Sequence, residues 1–185
     1  VLGRIKHLER SAEHDLIVVD GPAAGHAITF LTSAAGLADA VRSGPVRAQA
    51  DDVLAMLGDP ERTQVVRVTL PETTPVNEVI ETANALRERV GIRLGPVGGN
   101  AVDVGGELPD EHETRTAIEA ADDLSGDDGD TLVRAARFRR SRRAMQAAEI
   151  ARLETALATV EGVLPARPRA GLASADIDAL AAALS

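Results

Sequence analysis

The sequence has no cysteine, no tryptophan and no tyrosine, and only two phenylalanines, Phe30 and Phe138. Without cysteine there is no disulfide, no thiolate metal site and no cysteine nucleophile. Without aromatic platforms there is no base stacking, the usual means of holding single-stranded nucleic acid. No apolar run approaches the ~20 residues needed to span a bilayer, and the opening "VLGRIKHLER" lacks the apolar block of a signal peptide. Lysine is almost missing as well: Lys6 stands alone against the arginines. These features fit a cytoplasmic protein with no nucleic-acid partner and no membrane span. The formal net charge of −9 points the same way, because an acidic surface repels polyanions.

What remains is Leu, Val, Ile and Ala in 185 residues, with 44% hydrophobic content. That is enough for one domain with a core. A core of small aliphatic side chains favours close helix packing and thin layers. The chain opens on Val1. It is read as either a piece of a longer chain or a reading frame opened on an alternative start codon.

The spacing predicts an α/β fold. Residues 1–14 read as a helix end or linker. "DLIVVD" (15–20) is an apolar run of the kind buried on both faces in a parallel sheet. Residues 26–58 read as helical, broken near Gly44-Pro45. "VVRVTL" (65–70) reads as a second strand and "PVNEVIETANALRERVG" (75–91) as a helix with proline at its start. "RLGPVGGNAV" (93–102) reads as a third strand. Residues 103–130 crowd acids against a single arginine, which predicts an exposed insertion, partly helical around 111–124. Residues 131–161 carry Ile150, Leu153, Leu157 and Val160 on one stripe of a long helix. "GVLP" (162–165) reads as a short last strand, and Ser174 as the cap of a final helix. Strands alternating with helices predict a parallel, doubly wound sheet.

In such sheets ligands sit outside the carboxyl ends of the strands, where Asp20, Asn100 and Pro165 all fall. An acid there either holds Mg²⁺ through water or caps the next helix. In "GPAAG", Gly21 lets its N–H approach a phosphate closely, Pro22 stiffens the turn and Gly25 hinges it. The same residues also suit an ordinary Gly-Pro turn. Asn100 is either a ligand contact or a turn residue. "RFRRSRR" (137–143) puts five arginines on the long helix. Pairing with the acidic insertion or plain solvation is favoured over nucleic-acid contact.

"DLIVVDGPAAGHAITFL" resembles the switch-loop signature of the ArsA-type ATPases, in an actinobacterial-like variant. That family includes the arsenite-pump ATPase and the targeting factor for tail-anchored membrane proteins. The resemblance continues through "DPERTQVVRVTLPETTPVNEVIETANAL", "GPVGGNAV" and "EGVLPARPRAGL". It implies a P-loop NTPase-like parallel sheet flanked by helices, with ATP and Mg²⁺ as cofactors. It implies that Asp20 holds the Mg²⁺ water shell and that Gly21 through His26, Gly25 included, form the loop reading the γ-phosphate. It implies that Asn100 binds adenine and that Pro165 packs on the adenine face. A homo- or heterodimer with an ArsA-like paralogue and a hydrophobic protein client are the implied partners.

The family's glycine-rich phosphate loop and its lysines have no counterpart in this sequence, whose lone Lys6 sits in "VLGRIKHLE". The zinc-binding and metalloid-binding cysteines are missing too. The expectation is therefore one incomplete ATPase domain over 1–185, the C-terminal part of an enzyme that couples Mg-ATP hydrolysis to dimer rearrangement and client or anion handling. Within it, 15–102 form the sheet core, with the helical insertion 26–58; 103–130 form the acidic insertion and 131–185 the closing helices and Leu-Pro turn. Alone, the chain is expected to be inactive. The alternative is a binding or scaffold subunit without a P-loop that pairs with an intact ATPase paralogue.

Overall fold

A computed structural model describes residues 1–121, 126–157, 160–167 and 171–183. In chain order the elements are α1 (Leu2–Ser11), α2 (Ala24–Ala40), α3 (Pro45–Gly58), β1 (Gln64–Thr69), α4 (Thr73–Arg89), β2 (Arg93–Val102), α5 (Glu111–Glu119), α6 (Gly126–Leu157), β3 (Val160–Pro165) and α7 (Ser174–Ala182). The strands form a parallel sheet in the order β1-β2-β3, flanked by helices. The chain divides into two compact units, Val1–Val68 with Asn77–Val97, and Thr69–Val76 with Gly98–Ser185.

The first unit closes around Leu2, Ala34, Val53, Met56, Leu57, Leu86 and Ile92. All are aliphatic or thioether side chains, and Phe30 reaches the cluster only partly buried. Each fully buried Leu contributes ~1.5–3 kcal/mol. Pro45 opens α3 with its ring at a position where no N–H is needed, and Gly44 before it takes φ 100°. That pair makes the expected break between α2 and α3. Helix α1 ends on Ala12 in the left-handed region (φ 51°), its N–H bonded to the Glu9 carbonyl. Lys6 and Arg10 both pair with Asp52 on α3, at 3.2 and 3.0 Å, and Arg62 pairs with Glu9 at 2.8 Å.

Strand β2 occupies the expected span. Residues 15–20 do not form the expected strand. They belong to no helix or strand, and Leu16, Val18 and Val19 are exposed, Val18 at 84%. A strand is defined by its neighbour's hydrogen bonds as well as by its own sequence, and among the described residues this segment has no strand partner. β1 buries Arg67 and Thr69 on one face and leaves Val66 and Val68 exposed on the other.

In the second unit α6 is the long element, and Val133, Gln146, Leu153 and Leu157 are its buried side chains. It begins at Gly126, earlier than expected, because Asp127 and Asp128 suit a helix start. The expected Val160 of its stripe belongs to β3 instead. α5 packs on α6 at Gly129, where an added Cβ would stand 2.8 Å from Ile118 Cγ2. Asp110 and Glu113 make a reciprocal capping box at the start of α5. Ser174 is the first residue of α7, and Ala173 holds the cap position, its N–H donating to Asp176.

Candidate functional site

The expected site residues fall in both units. In the first, Asp20 and Gly21 are exposed. Asp20 makes no hydrogen bond or ion pair among the described residues, so it does not cap α2. No side chain caps that helix, and an added Cβ at Gly21 would meet nothing within 4 Å. α2 already begins at Ala24, which places Gly25 and His26 in its first turn rather than in a loop. The His26 N–H donates to the Ala23 carbonyl at 2.9 Å. The lone Lys6 is engaged with Asp52, away from any glycine-rich loop.

In the second unit, Asn100 and Pro165 lie near the carboxyl ends of the paired strands β2 and β3. Asn100 is exposed, and its Oδ1 accepts the Ala101 N–H at 2.9 Å. Ala101 has φ 56°, an uncommon conformation for a residue with a Cβ. The ends of the two strands are joined by the Ala166 N–H donating to the Val102 carbonyl at 2.8 Å.

Beneath this edge lies Gln146 of α6, 2% exposed. Its Nε2 donates to the Ala101 carbonyl at 3.2 Å, and its Oε1 accepts the Asp103 N–H at 3.0 Å. Gln146 is not among the residues that the sequence motifs single out. The signal was there: the stripe of Ile150, Leu153 and Leu157, carried back one turn, lands on it.

Three arginines of "RFRRSRR" strap the chain that leaves β2. Arg139 donates to both oxygens of Asp103, Arg143 donates to the Gly106 carbonyl and Arg140 to the Pro109 carbonyl. The acidic insertion thus takes up part of the cluster, but mainly through backbone carbonyls. The hydrogen bonds from Arg139 hold the Asp103 carboxyl well below the usual carboxylate range against the opposing effect of burial, helped by the Gly105 N–H. A shallow groove beside the strap is lined by Glu72, Phe138, Ser141, Arg142 and Met145.

Arg67, in the middle of "VVRVTL", is likewise unmarked by any sequence motif. It is 5% exposed, and its Nη2 donates to the Gly95 carbonyl at 2.6 Å. Its Nε and Nη1 have no partner among the described residues. Burial first, and then the Arg87 charge, work against its own charge.

No group of three or more His, Cys, Asp or Glu suited to a metal ion occurs among the described residues. No helix among them is long and apolar enough to cross a membrane.

No family model matches the chain. It is similar to ATPase BagA of Mycobacterium tuberculosis, 34% identical over 109 residues. A Mycobacterium bovis protein likewise named as an ATPase matches to the same extent. Each match covers 59% of this chain but 30% of the relative's length. These similarities relate the chain to proteins named as ATPases.

Proposed function

We propose that this chain supplies the metal-side and adenine-side residues of an ArsA-type ATPase that couples Mg-ATP hydrolysis to dimer rearrangement and client or anion handling. The similarity to mycobacterial ATPases carries the reading. The parallel strand order, with Asn100 and Pro165 near adjacent carboxyl ends, agrees with it. The chemistry of the donors fits the ligands. Asp20 is exposed and, among the described residues, has no partner to displace before it could order the water shell of Mg²⁺. Gly21 and the uncapped start of α2 leave backbone N–H groups open to a phosphate oxygen. Asn100 offers its side-chain amide to adenine, and Pro165 an apolar surface. Bound Mg²⁺ would neutralise phosphate charge, and these residues would position the metal and base ends of the nucleotide.

The phosphate cradle must come from residues other than these, since Lys6 is held by Asp52 and no glycine-rich loop surrounds it. That observation also favours a second reading, a P-loop-less scaffold subunit that pairs with an intact ATPase paralogue.

Titration of Mg-ATP into the full gene product that carries this sequence tests the proposal. Saturable binding by that protein alone supports it. Binding that appears only after a P-loop-bearing paralogue is added moves the assignment to the scaffold. Silence in both cases overturns the ATPase reading.

A further inference from the structure

The bonds around Ala101 converge from four directions. The Asn100 side chain accepts its N–H, and Gln146 takes its carbonyl. Gln146 also accepts the N–H of Asp103, whose carboxylate is gripped by Arg139. Val102 is tied to β3 through Ala166. Ala101 itself is held at φ 56°. A residue with a Cβ persists there only when its surroundings over-determine it. Gln146 is the buried part of that support: one side chain bonds the backbone on both sides of Val102. A buried amide must find partners for its donor and its acceptor, and here both partners are main-chain groups just past Asn100.

We propose that Gln146 is the positioning residue of the adenine side, fixing the Ala101–Asp103 backbone so that the Asn100 amide is presented in one orientation. The inference rests on the adenine role proposed above for Asn100. Its consequence is base specificity. An Asn100 held in place distinguishes adenine from guanine by donor and acceptor positions; an Asn100 on a loosened backbone does not.

The test is a double-mutant cycle in the full gene product, reading dissociation constants for ATP and GTP. Gln146→Met keeps the volume and removes both hydrogen bonds. It is expected to weaken ATP binding by about tenfold and GTP binding far less. In the Asn100→Ala background the same change is expected to have no effect, because Gln146 acts only through Asn100. If Gln146→Met does not fold, Gln146→Glu is measured instead, with Ala101→Gly as the control. The control keeps both hydrogen bonds and relieves the left-handed angle, so a preference for ATP over GTP that is unchanged in Ala101→Gly but lost in Gln146→Glu, which keeps an acceptor for the Asp103 N–H and gives up the amide donor to the Ala101 carbonyl, is the expected result. Equal losses for ATP and GTP, or a Gln146 effect that survives in Asn100→Ala, overturn the inference while leaving the ATPase reading intact. A wild-type protein that binds no nucleotide overturns both.

Discussion

Asp103 receives both arms of Arg139, Nε at 2.5 Å and Nη2 at 2.7 Å, across a sequence separation of 36 residues. The pair fastens the exit of β2 to the middle of α6. A forked guanidinium meets two carboxylate oxygens in a way an ammonium does not. The Asp103 carboxyl is depressed in the folded chain, so the stability it contributes is present above its unfolded value of about 3.9 and is lost as pH falls below that towards the folded value. Asp103→Asn is therefore expected to lower the urea midpoint at pH 7, and the gap from wild type to narrow once pH drops below about 4. A gap that stays constant through that range contradicts the pairing.

Arg67 predicts the opposite sign for a buried charge. Arg67→Met gives up one bond to the Gly95 carbonyl but removes two nitrogens unpaired among the described residues and a cation disfavoured by burial and by the Arg87 charge. Unsatisfied buried donors cost about 1–3 kcal/mol each. The melting temperature is expected to hold or rise. A fall of several degrees would mean that the guanidinium has a partner in solution.

Leu86 lies at the centre of the first unit's core, 1% exposed. Leu86→Ala is expected to cost about 2–5 kcal/mol by denaturant unfolding, through lost transfer energy and the cavity left behind. A cost below 1 kcal/mol would show that the aliphatic cluster collapses around the gap.

Ala12 sits at φ 51° and closes α1. Left-handed backbone costs a Cβ-bearing residue about 1–2 kcal/mol, part of which glycine returns as unfolded-state entropy. Ala12→Gly is expected to raise stability by up to about 1 kcal/mol in thermal melts. A loss would show that the helix end adopts another conformation.

The elements that sequence alone made legible are those whose signals are local. β2 was bounded by Arg93 and Val102, and the α2–α3 break by Gly44 and Pro45, because turn and breaker residues act on their own backbone. "LIVVD" carried an equally clear apolar signal and forms no strand. Its hydrogen-bond partner would have to come from elsewhere, and no residue within the segment specifies one. The network at Ala101 was illegible for the same reason: Gln146 is 45 residues away, and only the packing of α6 brings it there. Asn100 and Pro165 were legible as strand-end residues, whereas the start of α2 at Ala24 took Gly25 and His26 out of the expected loop.

The proposed role of Asp20 is in Mg-ATP chemistry. Its most direct test is steady-state ATP hydrolysis by the full gene product, with and without Mg²⁺, for wild type and Asp20→Ala, alongside their melting curves. Mg²⁺-dependent turnover is expected in the wild type, with its loss by at least two orders of magnitude in Asp20→Ala and the melting temperature unchanged, since Asp20 is exposed and makes no hydrogen bond or ion pair among the described residues. Turnover that survives in Asp20→Ala, or a wild type that releases no phosphate with Mg²⁺ present, contradicts it.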